Sequence, residues 1–420
     1  MDLNLMKESK YNYVIQEDGN YIYYNSISGK IFVSSSPIGD LTLNSNQLKV
    51  LSNYKFIVPI DANEINNLND NCKYLLNEKQ LCITIIPSFK CNFDCLYCYE
   101  AKENTEIALE TISNLVDFVQ RNIHRYKSVH FTFFGGEPLL FLDKCLLICK
   151  QVQSICRNQS KAFFSNFVTN GYLLNSEVAY LLYKCRCSEI QITLDGTQES
   201  HDKYRHLHNG NPSFNKILDN LLALRDVFFR YRIKVLIRIN VTEENASSIP
   251  SLVETIKQLK YKVGYMTAYL YPIKDWGGDL RISEEALMDH NSLIQLKNKF
   301  YTKDNPYVDT SFILPGNNIC FGFFNYSFAV LPDGHLTNCT VRYNQNKLTN
   351  SLKSLQIHDN YSLNPRFLHD KRCLDCKLVG TCFGLNCTEG DCEYENKLSE
   401  LKLIIKYLYN TNRYLSLEEL

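Results

Sequence analysis

The sequence predicts an α/β fold in which a partial (β/α)6 barrel of the TIM type is flanked by two smaller units. From position 81 onward, short runs rich in β-branched and aromatic residues alternate with longer segments of helical periodicity, which is the pattern of βα units around a parallel sheet. Before that position the strands are short and separated by turn signals, and after about position 300 cysteine, glycine and asparagine replace the apolar periodicity. We therefore expect three domains, at 1–80, 81–295 and 296–420.

The βα pattern gives six strands and five helices. The strands are predicted at 81–86, 128–134, 162–169, 188–194, 232–241 and 264–271, and the helices at 105–123, 139–156, 174–185, 213–229 and 245–260. Right-handed crossovers would curl six such units into an incomplete barrel, because about eight are normally needed for closure. An incomplete barrel leaves a lateral opening.

The two flanking units are predicted to differ in what stabilises them. The N-terminal unit is α+β, with strands at 11–15, 21–25 and 30–35 and helices near 46–54 and 62–76. Its strands are separated by the turn signals Asp18-Gly19 and Ser28-Gly29. The C-terminal unit consists of loops and one final helix near 394–410, so bound metal could supply the stability that its few apolar residues do not.

Charge and hydropathy narrow the range of partners. The chain has 420 residues with 45 Lys and Arg against 45 Asp and Glu, and this zero net charge excludes a global attraction to nucleic acid or to an anionic membrane. The first residues are acidic and polar where a signal peptide needs an apolar stretch, and no later run is long enough to span a bilayer. The expectation is a cytoplasmic protein with neither a nucleic-acid nor a membrane partner.

Seventeen cysteines are the most informative feature of the composition. An odd number cannot be wholly paired, and a reducing cytosol disfavours disulfides, so clustered cysteines indicate metal or thiol chemistry. Cys91, Cys95 and Cys98 follow the first predicted barrel strand as CxxxCxxC. Three thiolates on a four-iron cubane (4Fe–4S) leave one iron open to another ligand. The alternatives are an incomplete zinc site, which would want a fourth protein ligand, or free thiols.

This loop, with the aromatic Tyr97 before its last cysteine, resembles the signature of the radical S-adenosylmethionine (SAM) enzymes. Further motifs resemble that family, and each follows a predicted strand at its carboxyl end, where α/β barrels place their active sites. They are Gly135-Gly136-Glu137-Pro138, Thr169-Asn170-Gly171, the Thr193 and Asp195 pair, Arg205 and Asn240.

The resemblance assigns these residues to SAM. Gly135, Gly136, Glu137 and Pro138 would meet the methionyl amino group, and Arg205 is the fork-shaped partner that a methionyl carboxylate prefers. Thr169, Asn170, Thr193 and Asp195 would contact ribose hydroxyls or the methionine moiety, with Asn240 near ribose and adenine. The implied mechanism is that the methionyl groups bind the open iron and one electron, from a reductant such as flavodoxin or ferredoxin, cleaves SAM. The resulting 5′-deoxyadenosyl radical removes hydrogen from a substrate. The sequence identifies no general base.

The C-terminal cysteines resemble the SPASM extension of that family. One auxiliary cluster would use Cys320, Cys339 and Cys387, and a second Cys373, Cys376, Cys382 and Cys392. Two full clusters need eight ligands, so seven leave one iron for a substrate thiolate or a non-cysteine ligand. The four-residue spacer before Cys387 departs from the family pattern, and a zinc ribbon is the alternative. The other cysteines are expected in the core: Cys72, Cys82, Cys145, Cys149, Cys156, Cys185 and Cys187.

The resemblance also implies a substrate. SPASM-type enzymes mostly modify peptides or proteins, and residues 1–80 broadly resemble the winged-helix-like unit that holds a leader peptide by adding it to a sheet edge. A structural cap on the barrel is the alternative. We therefore expect maturation of a ribosomally made precursor peptide with a leader, with a Cys thioether crosslink favoured.

Other functions stay open at this point. A peptide maturase could instead form carbon–carbon or carbon–oxygen crosslinks, or convert a sulfatase Cys or Ser to formylglycine. Sulfatase-maturing relatives place an Asp directly after the cysteine that matches Cys339, where this chain has Thr340. A non-enzymatic electron carrier or peptide-binding scaffold is the alternative from another class, although it would not need the SAM motifs.

Overall fold

The structure is a computed structural model, and it describes residues 5–76, 80–100, 103–278, 280–320, 327–341, 343, 347–348, 351–353, 355, 370–385, 392 and 394–420. The chain begins with a small antiparallel unit. Its elements are β1 (Met6–Glu8), β2 (Asn12–Glu17), β3 (Asn20–Asn25), β4 (Lys30–Ser34), α1 (Ser45–Asn53), β5 (Ile57–Pro59) and α2 (Glu64–Leu76). The three predicted strands and both predicted helices are confirmed, and β1 pairs with β5 as an unpredicted second sheet.

Six parallel strands in sequence order form the centre of the molecule. They are β6 (Gln80–Ile85), β7 (Ser128–Phe133), β8 (Ala162–Thr169), β9 (Cys187–Thr193), β10 (Lys234–Val241) and β11 (Met266–Pro272). Every second side chain is fully buried, as at Val129, Phe131 and Phe133 of β7, because alternate residues of a strand face the same side. The predicted strands of the partial barrel are confirmed.

Helices cover the outer face of these strands. They are α3 (Leu109–Asn122), α4 (Leu142–Asn158), α5 (Ser176–Lys184), α6 (Gln198–Tyr204), α7 (Phe214–Tyr231) and α8 (Ile249–Gln258). Five of the six match predicted helices, and α6 is additional. The carboxyl ends of all six strands meet at one end of the sheet, where a barrel enzyme carries its site.

The rest of the chain adds strands to the barrel sheet and to the N-terminal sheet of β2, β3 and β4. Its elements are α9 (His290–Phe300), β12 (Ser327–Val330), β13 (Leu336–Thr337), β14 (Lys347–Leu348), α10 (Lys371–Leu374), α11 (Val379–Cys382), α12 (Tyr394–Asn410) and β15 (Leu415–Ser416). The final helix lies where the sequence predicts it. Three of the unpredicted strands continue the barrel sheet beyond β6, with β12 parallel to it, and β15 pairs in parallel with β4 of the N-terminal sheet.

The N-terminal and C-terminal parts share a core. Tyr11 and Ile27 pack with Val379 and Phe383, and a Cβ at Gly380 would lie 2.0 Å from the carbonyl oxygen of Ser26. Helix α9 runs across position 295, so the three-domain division stays a prediction. Among the described helices, none has the length and hydropathy needed to cross a membrane.

Candidate functional site

The CxxxCxxC loop follows β6, and long-range backbone hydrogen bonds fix its course. The Asp94 N–H donates to the carbonyl oxygen of His206 (2.8 Å), and the Leu96 N–H donates to that of Tyr204 (3.0 Å). Cys91, Cys95 and Cys98 line one cavity of about 210 Å³. Burial raises the pKa of the Cys91 thiol, and the Glu137 carboxylate and the other two thiols raise it further. If all three thiols ionise, they would need a compensating positive charge, which a bound iron–sulfur cluster would supply.

The cavity lies at the carboxyl ends of the parallel strands. Ten of the thirteen residues that the sequence assigns to the SAM-binding cluster and to SAM line it: Cys91, Cys95, Cys98, Gly135, Gly136, Thr169, Asn170, Thr193, Arg205 and Asn240. Glu137, Pro138 and Asp195 do not line it and are buried behind its wall. The motifs are therefore brought together, as the positions of the strand ends predict.

The two motif glycines line the cavity and also pack closely against the cysteine loop. A Cβ at Gly136 would lie 2.2 Å from the carbonyl oxygen of Lys90, directly before Cys91. The Gly136 and Glu137 N–H groups donate to the carbonyl oxygens of Ser88 (3.1 Å) and Lys90 (2.9 Å). The glycines thus let this turn support the cysteine loop.

Glu137 connects two of the motifs. Its buried carboxylate accepts hydrogen bonds from the Thr169 hydroxyl (2.7 Å), the Asn170 N–H (2.7 Å) and the Leu139 N–H (3.0 Å). Burial raises the pKa of this carboxyl group, while those hydrogen bonds oppose the rise. Glu137 therefore positions Thr169 and Asn170 from behind the cavity wall.

A second network joins the cysteine loop to the ends of β9 and β10. The hydroxyl of Tyr97 donates to the Asp195 carboxylate and accepts from Arg205 Nη1 (2.8 Å) and Asn240 Nδ2 (3.0 Å). Asp195 also accepts from the Asn240 N–H (2.8 Å). A buried charged network is stable only when its members are satisfied, and the Tyr97 hydroxyl meets part of this need by pairing with Asp195, Asn240 and one guanidinium nitrogen of Arg205.

Comparison with known proteins identifies this arrangement. Residues 85–256 match the model of the Radical SAM superfamily. The chain contains a radical SAM domain. It is accordingly an enzyme of the class that binds SAM and a 4Fe–4S cluster.

Two curated relatives span most of the chain. It is 27% identical over 336 residues to a cysteine-type anaerobic sulfatase-maturating enzyme from Clostridium novyi, covering 72% of this chain and 87% of the relative. It is 22% identical over 373 residues to the radical SAM cyclopropyl synthase TigE from Paramaledivibacter caminithermalis, covering 79% of this chain and 74% of the relative.

Solved structures show the same fold. Native anSMEcpe with bound AdoMet superposes with a TM-score of 0.59 at 17% identity, covering 78% of this chain and 97% of that one. Streptococcus suis SuiB superposes with a TM-score of 0.51 at 14% identity, covering 91% and 95%. The partial barrel and its flanking units therefore form a radical SAM fold.

The residues around the cavity fit SAM. Arg205 Nε is buried without a hydrogen-bond partner among the described residues, and so are both carboxylate oxygens of Glu100. Orphaned buried polar atoms of this kind indicate an absent partner. The carboxylate of SAM could accept a hydrogen bond from the Arg205 guanidinium. The ammonium and hydroxyl groups of SAM could donate hydrogen bonds to the Glu100 side chain. Burial raises the pKa of Glu100 to about 8.

Sequence reasoning did not assign Glu100, although it ends the cysteine motif. It also missed Arg281, which holds the cysteine loop from the segment after β11. The Arg281 guanidinium donates to both carboxylate oxygens of Asp94 (3.0 and 2.8 Å) and to the carbonyl oxygen of Cys95 (3.0 Å). No local sequence pattern marks an ion pair between residues this far apart in the chain, so only the fold could reveal it.

Four of the seven predicted auxiliary ligands come together in the radical SAM protein. Burial raises the pKa of the Cys376 thiol to about 12, and Cys382, Cys392 and Cys373 each raise it further by their proximity. The Cys320 N–H donates to the carbonyl oxygen of Leu385 (3.1 Å). Cys387 lies outside the described residues. Among those described, no group of three or more His, Cys, Asp or Glu side chains is arranged to hold a single metal ion.

The remaining cysteines have ordinary surroundings, and so does His335, which lies four residues before Cys339. Cys72, Cys145, Cys149, Cys156, Cys185 and Cys187 are buried in the core, and Cys82 is half-buried. Cys339 is half-buried, and its N–H donates to the Thr337 hydroxyl (3.1 Å). His335 is exposed and lies 2.9 Å from the Asp333 carboxylate. All SAM-site and auxiliary assignments stay predictions.

Proposed function

We propose that this radical SAM enzyme modifies a ribosomally made precursor peptide and installs an oxidative crosslink, with a Cys thioether favoured. The observation that carries the proposal is the cavity in which three thiols, the unpartnered Arg205 Nε and the motif residues at the strand ends face one another. This set of groups suits SAM held on a cluster by its methionyl amino and carboxylate groups, and the incomplete side of the barrel would give a large substrate access to it.

Each residue has a distinct task in this proposal. Cys91, Cys95 and Cys98 would hold the cluster, and Arg205 would hold the methionyl carboxylate through its fork. When bound, the cluster and SAM would together supply the one-electron chemistry that removes hydrogen from a substrate carbon. Tyr97, Asp195 and Asn240 keep Arg205 in place. Phe93, Phe134 and Trp276 line the same cavity and would exclude water from it.

The peptide substrate is supported by two structural neighbours that hold a peptide. One neighbour is anSMEcpe with bound AdoMet and Cp18Cys peptide, at a TM-score of 0.59, and another is SuiB bound to precursor peptide SuiA, at 0.50. By analogy, residues 1–80 would recognise a leader and the auxiliary cysteines would hold one or two further clusters. A flavodoxin or ferredoxin would supply the electron in the cytoplasm.

Formylglycine formation on a sulfatase is the second candidate. The Clostridium novyi relative, which covers 72% of this chain, is named as a sulfatase-maturating enzyme. Thr340 follows Cys339, where the family resemblance expects the Asp of such enzymes, and this departure favours the crosslinking proposal.

Coexpression with candidate substrates tests the proposal. Each small peptide encoded beside the gene, and any adjacent sulfatase, is coexpressed anaerobically and weighed by mass spectrometry. Loss of two hydrogens with a thiol that no longer alkylates supports a thioether, and the same loss with free thiols supports a carbon–carbon or carbon–oxygen bond. Formylglycine replaces the sulfur of a cysteine by oxygen or removes two hydrogens from a serine, and its aldehyde reacts with a hydrazide probe, whereas a crosslink does not.

The variant Cys95→Ala is the matched control, because it removes one cluster thiolate. We expect it to give neither 5′-deoxyadenosine nor modified peptide. If reduced wild-type protein forms no 5′-deoxyadenosine from SAM, the chain is a carrier or scaffold and the proposal is overturned.

A further inference from the structure

A second and larger cavity adjoins the one that fits SAM. Its volume is about 440 Å³, and it lies between β11, α9 and α12. Tyr271, Pro272 and Lys274 line both cavities. We name it the lateral cavity, because it lies along β11, the last parallel strand, on the side where the barrel is incomplete. A molecule in the lateral cavity would reach the SAM site past these three residues.

The edge of β11 offers backbone hydrogen bonds to this cavity. On its outer side, the Ala268 N–H donates to the carbonyl oxygen of Tyr307 (2.5 Å), and its carbonyl oxygen accepts from the Asp309 N–H (2.9 Å). Outward-facing backbone groups recur at every second residue of a strand, so those of Leu270 face the lateral cavity, which Leu270 lines. In the described part of the chain, no backbone group bonds to Leu270 from that side.

The acidic side chains that line the cavity already have partners within the protein. Glu400 forms a 2.6 Å ion pair with the buried Lys297, and the Asp309 carboxylate accepts from the Ser311 N–H (2.9 Å) and hydroxyl (3.1 Å). Both acidic groups are therefore occupied. Lys397 lines the cavity half-buried. Burial raises the pKa of the nearby Cys382 thiol and the charge of Lys397 opposes that rise, but no described carboxylate forms an ion pair with Lys397. The cavity thus presents an ammonium group for an anion.

We infer that the lateral cavity binds an extended, acidic stretch of the precursor peptide, whose backbone adds to β11 at Leu270 and whose carboxylate pairs with Lys397. Adding a strand gives affinity through backbone bonds, and a charged pocket selects the side chain. The inference rests on the proposed function and deepens it, since it names the kind of residue expected beside the modification site. It also orients the substrate, because the next backbone positions along β11 lead to the SAM cavity.

Direct binding tests the inference without knowledge of the natural substrate. The probe is a fluorescein-labelled octapeptide with two glutamates in a glycine–serine background, and its twin carries lysines instead. Anisotropy with the anaerobically reconstituted full-length enzyme should show the glutamate peptide binding about tenfold more tightly than the lysine peptide. The variant Lys397→Glu should abolish this preference or invert it.

The control is Lys402→Glu, because Lys402 is exposed on the same helix and does not line the cavity. It makes the same change in net charge and should keep the preference for glutamate. Far-UV circular dichroism and thermal unfolding verify that each variant folds. Equal binding of the two peptides, absence of binding, or equal effects of the two variants would each overturn the inference. Coexpression mass spectrometry tests the proposed function separately, so the two failures are distinguishable.

Discussion

Arg205 is a buried cation that the hydrogen-bond network of the site holds in place. Its guanidinium lies 5.7 Å from the ring centroid of Phe93 and 6.0 Å from that of Tyr97, and the residue is only 8% exposed. A buried cation costs several kcal/mol unless it is paired, and Asp195 is linked to it through the Tyr97 hydroxyl. The pairing leaves Nε, which faces no described acceptor, for the carboxylate of SAM.

The substitution Arg205→Lys should therefore weaken SAM binding by about tenfold or more, because an ammonium cannot make the two parallel bonds of a guanidinium. Equilibrium binding of SAM to the anaerobically reconstituted enzyme measures this. Lys203→Ala is the control, since Lys203 lies two residues away and pairs at the surface with Glu244. Equal SAM affinity in the wild type and the Arg205 variant would remove Arg205 from the site.

The site is predictable from sequence where a motif follows a strand. Thr169 and Thr193 end their strands and Asn240 is the last residue but one of the next strand. Parallel strands bring their carboxyl ends together, so the convergence of these residues follows from the pattern. What each side chain contacts does not follow from it. Glu137 bonds to Thr169 and Asn170 rather than lining the cavity, and that difference depends on the direction of one turn.

The segment between β11 and α9 acts as a brace on the cysteine loop. Arg281 binds Asp94 and the Cys95 carbonyl, and its own N–H donates to the carbonyl oxygen of Leu96 (2.8 Å). A Cβ at Gly278 would lie 2.3 Å from Cα of Tyr99, so the brace also packs tightly against the end of the motif. The same segment carries Lys274 and Trp276 into the wall of the SAM cavity.

Removal of the brace should loosen the cluster loop. Hydrogen bonds to a charged group contribute about 1.5–3 kcal/mol, so Arg281→Ala should lower the iron retained after anaerobic reconstitution and gel filtration. Arg281→Lys keeps the charge without the fork and should retain an intermediate amount. Iron and sulfide assays with the visible absorption spectrum measure both. Wild-type iron content in Arg281→Ala would show that the loop holds the cluster without the brace.

Long elements are predictable because their periodicity is repeated many times, whereas short strands are not. The final helix extends over 17 residues with a continuous apolar pattern, and its bounds match the predicted 394–410. β13 and β15 have two residues each, and each forms by backbone hydrogen bonds to the edge of a neighbouring strand. Local sequence does not encode such pairings, which tertiary context decides.

The two termini are joined in a way that changes how the leader-recognition proposal is tested. β15 occupies the β4 edge of the N-terminal sheet, and Tyr11 and Ile27 share a core with Val379 beside the auxiliary cysteines. Deleting residues 1–80 would therefore expose that core and disturb the cysteine region as well. A change confined to the other edge, at β2, is the sharper experiment.

The outer edge of β2 carries no strand in the described sheet. Asp18 and Gly19 both have positive φ and form a two-residue turn, so the flanking pair Glu17 and Asn20 is hydrogen-bonded and the N–H groups of Val14 and Gln16 point outward. Val14 is 38% exposed. This edge is thus available for an extended leader peptide.

Val14→Pro removes one outward N–H without removing a bond between β2 and β3, and edge strands tolerate proline. If the leader adds to this edge, its affinity should fall about tenfold through the lost hydrogen bond and the steric block of the ring. Anisotropy of the labelled leader of the coexpressed precursor measures the loss. Val14→Ala keeps the N–H and should bind within about twofold of the wild type, which separates the backbone effect from that of the side chain. Wild-type affinity in a Val14→Pro protein with unchanged thermal unfolding would place leader recognition elsewhere and leave residues 1–80 as a structural cap.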